Sequence, residues 1–122
     1  IESAESYRAL IALKRSGVLS CNGIIGDQRP RKKSPSHTVQ FLNQPTRFFI
    51  GTDRIAKKLD MIIVYPSFKK IKRGYYEVTL TPITEEPQAS AEFEIIEKYA
   101  SILEKDIQRT PSLWLWTHRR WK

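Results

Sequence analysis

Between residues 93 and 107 the apolar side chains Phe93, Ile96, Tyr99, Leu103 and Ile107 recur every three or four positions, with Ile95 and Ile102 beside them. Glu94, Glu97, Lys98, Glu104 and Lys105 fall between. A period near 3.6 puts these two sets on opposite faces of one α-helix, and a stripe of that width has to be buried against other elements. The rest of the chain therefore has to supply a partner surface.

Residues 3–16 supply a second amphipathic pattern, Ala4, Tyr7, Leu10, Ile11 and Leu13, with Lys14 and Arg15 in the last turn and Gly17 placed to end it. Residues 18–25 form a short apolar run broken by Ser20, Asn22 and Gly23, which predicts a buried strand turning at Gly26. Asp27 and Gln28 then stand at the strand's C-terminal edge, where ligands collect in open α/β sheets. Residues 29–38 carry four bases and two prolines without periodicity and read as an exposed loop.

Residues 41–50 are apolar and aromatic around Pro45, and Gly51, Thr52 and Asp53 open a helix through Leu59, the latter two as caps. Residues 61–65 read as a strand, 66–74 as a basic connection and 75–81 as an alternating strand with Tyr76, Val78 and Leu80 on one face. After the long helix, Thr110 and Pro111 predict the start of a short final helix reaching Lys122, with Trp114, His118 and Trp121 on one face. The expected class is α/β, a mixed sheet with flanking helices. At 122 residues the whole chain, 1–122, makes a single domain.

The charge is segregated. The chain carries +8 overall, yet residues 82–108 hold 7 acids and 2 bases, leaving 19 bases against 6 acids elsewhere. An excess of this kind attracts anions, and nucleic acid, an anionic membrane face and an acidic small substrate all fit it. Candidate anion-binding residues are Arg31, Lys32 and Lys33 in the first loop, Lys69, Lys70, Lys72 and Arg73 in the second, and Arg119 and Arg120 near the end. Trp114, Trp116 and Trp121 among those last bases have the composition of a membrane-interface anchor, and equally that of rings packed on a sheet.

Self-contained catalysis finds little support. The chain has no phosphate-binding glycine loop, no dinucleotide fingerprint and no HExxH pair. Its one cysteine, Cys21, excludes an internal disulfide and a cysteine-rich zinc site, and no metal is expected. His37 has Leu42 five positions on, and His118 lies among Trp and Arg, so neither has an acid near in sequence. No run approaches the roughly 18 apolar residues of a membrane-spanning helix.

Read together, the segments resemble a known family. The ending from Pro111 through Ser112, Leu113, Trp114, Leu115, Trp116, Thr117, His118, Arg119, Arg120 and Trp121 to Lys122 is similar to the C-terminal signature of the lipid A biosynthesis acyltransferases. Those are the late lauroyl and myristoyl transferases of Gram-negative bacteria. The run Asp27, Gln28, Arg29, Pro30 resembles that family's Asp-Gln block. Phe41, Leu42, Thr46, Phe48, Phe49 and Gly51 with Ile55, Ala56, Lys57 and Lys58 resemble the segment that follows, and Arg73 through Val78 resembles another recurrent piece. Order and spacing agree from Gly17 onward, in a style closest to the Bacteroidetes branch.

The resemblance implies the C-terminal half of a glycerolipid-acyltransferase-like fold. It implies an enzyme moving a fatty acyl chain from an acyl carrier protein thioester to a hydroxyl of a lipid A precursor, with no cofactor. The family's catalytic histidine and acid, separated by four residues, have no match here, so the resemblance places them in a missing N-terminal half together with a membrane anchor. The chain alone is then expected to be inactive and prone to self-association. It would contribute Asp27 and Gln28 as supports of the site, and bases for lipid phosphates, at the cytoplasmic face of the inner membrane. A reading from another class is a small basic nucleic-acid-binding module, with Phe68, Tyr75 and Tyr76 stacking bases beside residues 69–73. That reading leaves the Asp-Gln block and the terminal signature without a role, and nucleic acid is not the expected partner.

Overall fold

The computed structural model describes residues 4–121. In chain order its elements are α1 (Ala4–Arg15), β1 (Ser36–Phe41), β2 (Gln44–Phe49), α2 (Gly51–Leu59), β3 (Ile63–Lys72), β4 (Tyr75–Thr84) and α3 (Glu94–Arg109), with single 3-10 turns at Pro87–Ala89 and Pro111–Leu113. The apolar stripe is buried as its period requires: Ile95, Ile96, Ala100, Leu103 and Ile107 are the buried residues of α3. Phe93 lies outside the helix, as its left-handed N-cap at φ 62°. Freed from the helical row, its ring stacks on His37 at 4.3 Å.

The partner surface comes from two antiparallel hairpins. β1 pairs with β2, setting His37 opposite Phe48, and β3 pairs with β4, setting Phe68 opposite Val78. The α/β class is met, but the expected mixed sheet is divided among the described residues into two separate two-stranded sheets. Each strand finds its partner across a tight turn. Leu42 and Asn43 take positive φ in the first turn and Gly74 has φ 79° in the second, a region where glycine carries no Cβ penalty. Residues 36–38, expected in the loop, belong to β1, and residues 66–72, expected as a connection, belong to β3.

Phe41 and Phe48 from the first hairpin are fully buried and meet edge to face at 5.3 Å. With Tyr65 and Ile83 from the second hairpin and Ala56 from α2, they form one cluster with the apolar face of α3. Polar contacts reinforce the seam: the Leu42 N–H donates to Glu104 Oε1 at 2.9 Å, and His37 Nε2 lies 3.0 Å from Glu97 Oε1. Glu97 and Glu104, which the helical pattern assigns to the outward face, thus tie α3 to the first hairpin.

α1 ends at Arg15, and Gly17 two residues on takes a φ of 70° that suits the expected stop; its expected first residue, Ser3, lies outside the described residues. The α1 end is tied to α2 by Lys14 Nζ donating to the Asp60 carbonyl at 3.3 Å. Thr52 and Asp53 do not cap α2, whose N-cap is Ile50 with no side-chain bond. Asp53 is instead buried in the first turn, 3.3 Å from Lys57 Nζ, where an acid suits the helix dipole.

Two expected elements do not form. Residues 18–25 have no strand partner, and Val18, Leu19 and Ile25 are exposed; without a ladder, an apolar run interrupted by Ser, Asn and Gly does not become a strand. The final segment is a series of turns after Leu113, closed by bonds such as His118 N–H to the Leu115 carbonyl and Arg120 N–H to the His118 carbonyl. The expected helix end at Lys122 lies outside the described residues. Ile95→Ala should lower stability by about 2–5 kcal/mol, whereas Lys105→Ala on the exposed face should change it by under about 0.5 kcal/mol, as read from urea unfolding midpoints.

Candidate functional site

Asp27 and Gln28 lie in a bend of the loop before β1 rather than at a strand edge, Asp27 half-buried and Gln28 exposed. Asp27 is held from the far end of the chain, because the Trp114 indole N–H donates to its Oδ2 at 3.3 Å. Gly26 lets the loop lie against α3. A Cβ at that position would come within 3.0 to 3.2 Å of the Tyr99 ring and hydroxyl, so a side chain there would require the ring to give way by a few tenths of an ångström.

Arg120 closes the same corner from the other side. It is 3 % exposed, lies over the Phe48 ring at 4.7 Å and donates through Nη2 to the Arg47 carbonyl at 2.6 Å. Its Nε has no hydrogen-bond partner among the described residues. Burial pulls its pKa below the usual arginine range, while the Asp27 carboxylate and then Tyr99 act in the opposite direction. Arg120, expected among the anion-binding bases, is therefore inside the fold, and its guanidinium answers an internal carboxylate and a carbonyl.

The tryptophans divide. Trp114 and Trp121 pack with each other at 5.9 Å and with Phe41 at 6.1 and 6.5 Å. The Trp121 indole N–H donates to Thr46 Oγ1 at 2.8 Å, and Thr46 is itself buried. These two rings are pinned by their polar edges to the hairpin and the Asp27 loop. Trp116 is exposed at the ring and donates to the Pro111 carbonyl at 2.6 Å.

The two lysine-rich groups sit on separate elements. Arg31, Lys32 and Lys33 are exposed in the turn before β1, and Lys69, Lys70, Lys72 and Arg73 are exposed at the tip of the second hairpin. Arg119 is exposed beside the buried Arg120. Cys21 is exposed and free. Among the described residues no three His, Cys, Asp or Glu side chains gather to hold a metal. No described helix is long and apolar enough to cross a membrane.

Several groups escape a reading by sequence distance. Tyr99 belongs to the helical stripe, and its hydroxyl at Gly26 puts a polar tip beside Asp27. Asp106 accepts from Ser67 Oγ at 2.7 Å and from Arg109 Nη2 at 2.7 Å, and its charge acts on the Tyr65 phenol. It stands between two open clefts of about 320 and 340 Å³, the first mainly apolar and bordered by Tyr65, Phe68, Tyr76, Leu103, Ile107 and Trp114. His37 and Glu97 form a histidine–carboxylate pair across sixty positions, invisible to any spacing rule. That pair opens to solvent on the first hairpin and borders neither cleft.

The arrangement presents an oriented carboxylate, backed by an indole N–H, a phenol and a buried guanidinium, beside an apolar cleft. A scan against family models matches the bacterial lipid A biosynthesis acyltransferase family over residues 4–122. The chain belongs to that family. The match spans the Asp27 loop, both hairpins and the tryptophan-rich ending. No curated protein matches the acyltransferase chain significantly, and no solved structure does.

Tyr99 and Tyr65 give this acyltransferase chain an alkaline limit. Burial, followed by the Asp27 carboxylate, raises the Tyr99 pKa above its usual value, and burial followed by Asp106 does the same for Tyr65. The unfolded chain loses these protons near pH 10 while the folded chain keeps them, so the stability they contribute is complete below about pH 10 and falls as pH rises further. Urea melts from neutral to alkaline pH should show that decline. Tyr99→Phe should flatten it, and Asp27→Asn should bring the Tyr99 tyrosinate absorbance in at lower pH.

Proposed function

We propose that this chain is the C-terminal part of an acyltransferase that moves a fatty acyl chain from an acyl carrier protein thioester to a hydroxyl of a lipid A precursor. The observation that carries the reading is the family match over residues 4–122, together with the gathering of its Asp-Gln loop and its tryptophan ending into one corner. In the reaction the acceptor oxygen adds to the thioester carbonyl and the C–S bond breaks. The hydroxyl proton passes to a base, and the carrier leaves as its thiol.

Neither His37 nor His118 has an acid at the family's four-residue separation, so in this reading the base and its acid come from a part of the enzyme preceding these residues. This chain supplies the support. Asp27, oriented by Trp114 and steadied electrostatically by Arg120, is a positioning residue for the polar groups of the site. The apolar cleft beside Trp114 gives an acyl chain a dry surface. Arg31, Lys32, Lys33 and Arg119 are exposed bases suited to phosphates on the glycolipid acceptor.

The test follows labelled acyl transfer from the carrier thioester to a lipid A precursor by the full gene product. Transfer by the full product, none by this chain alone, and a fall in kcat of about tenfold or more for Asp27→Ala with KM little changed are expected. A full product that transfers no acyl group to this acceptor overturns the reading. Unchanged kcat in Asp27→Ala removes the positioning role while leaving the reaction in place.

A further inference from the structure

The second hairpin is built differently from the first. Its strands run ten residues each, about 30 Å at the usual strand rise, and every residue from Phe68 to Pro82 is exposed. The register sets Tyr65 opposite Thr81, Ser67 opposite Thr79 and Lys69 opposite Glu77 on one face. That face meets α3, through Ser67 with Asp106 and Arg109. The alternate face pairs Val64 with Pro82, Pro66 with Leu80 and Phe68 with Val78. It is an apolar strip whose Val64, Val78 and Leu80 are 41, 49 and 63 % exposed, while Phe68 at its end borders the cleft shared with Tyr76, Leu103 and Trp114.

A strip of this kind on a two-stranded ribbon is unusual at a water-facing surface. It ends in charge of one sign: Lys69, Lys70, Lys72 and Arg73 cluster at the tip, and Glu77 is the one acid between residues 63 and 84. Apolar surface leading into clustered cations is complementary to an interface that is hydrocarbon on one side and anionic on the other. Nucleic acid fits it less well. Base stacking needs aromatic faces, whereas Val64, Pro66, Ile71, Val78 and Leu80 dominate the strip and its end, and the Lys72 ammonium already covers the Tyr75 ring at 4.2 Å.

We propose that the β3–β4 hairpin docks the protein on an anionic bilayer, laying Val64, Val78 and Leu80 into the boundary between headgroups and acyl chains while Lys70, Lys72 and Arg73 engage lipid phosphates. The hairpin takes the role that composition alone suggests for the tryptophan ending, where Trp114 and Trp121 are committed to Asp27 and Thr46. The proposal stands on the hairpin's own surface and does not rest on the acyl-transfer reading.

Vesicle flotation of the chain tests it, using phosphatidylglycerol–phosphatidylcholine vesicles against pure phosphatidylcholine, with circular dichroism to confirm folding. Binding to the anionic vesicles alone is expected. Lys70→Gln/Lys72→Gln/Arg73→Gln should weaken partitioning about a hundredfold. Val78→Thr/Leu80→Thr keeps β-forming side chains and should weaken it about tenfold through lost apolar burial. Equal binding by both variants and the parent overturns the proposal, as does preferential capture of a single-stranded oligonucleotide. So does a dimer, seen by analytical ultracentrifugation, that Val78→Thr/Leu80→Thr dissolves while vesicle binding stays intact, since a second copy would then cover the strip. Loss with the charge variant alone confines the contact to headgroups and overturns insertion.

Discussion

The apolar face of α3 organises the molecule, because the buried residues of both hairpins and of α2 gather with it in one cluster. Phe41 and Phe48 fill it from the first hairpin, Tyr65 and Ile83 from the second, and Ala56 from α2. Neither hairpin has a third strand among the described residues, and a two-stranded ribbon in water is marginal by itself. The first hairpin is secured by α3, through the shared cluster around Phe41 and Phe48 and through Glu97 and Glu104 at its edge. The second is secured only at its base, around Tyr65, Ser67 and Ile83, and its distal half is left exposed.

That difference shapes what each end of the chain can do. Where packing is dense, polar groups are drawn inward and must be answered: Asp27 by the Trp114 N–H, Thr46 by the Trp121 N–H, Arg120 by the Arg47 carbonyl. A buried guanidinium beside a half-buried carboxylate is costly unless each offsets the other, and removal of either would leave a charge exposed to low dielectric. The corner is therefore electrostatically linked as well as packed, and it joins loop, helix and terminal segment in one place. Where packing stops, at the hairpin tip, lysines and apolar side chains face outward together.

Much of the local structure is legible in the residue pattern. Gly17 marks the stop just past α1, the 3.6-residue period marks α3, and the alternation at residues 75–81 marks β4. The failures have a common cause. Residues 18–25 are apolar enough for a strand, yet a strand exists only through hydrogen bonds to another, and none pairs there among the described residues. The tryptophan ending has helical spacing, yet Trp114 and Trp121 reach different partners by a chain of turns that a helix would forbid. Residues 66–72 read as a basic connection because the lysine and arginine side chains of 69–73 obscure a ladder that runs to Lys72.

The candidate site divides along the same line. Periodicity, segregated charge and the run of family-like segments are local properties of the chain, and they determined the helices, the α/β class and the membership in the acyltransferase family. Contacts across long separations were decided by the tertiary structure alone: Asp27 with Trp114, Arg120 with Arg47 and Phe48, His37 with Glu97. Arg120 and Arg119 are adjacent and chemically identical, yet one is buried and the other exposed. Sequence records that both are cations; only the packing around Phe48 determines which of them meets solvent.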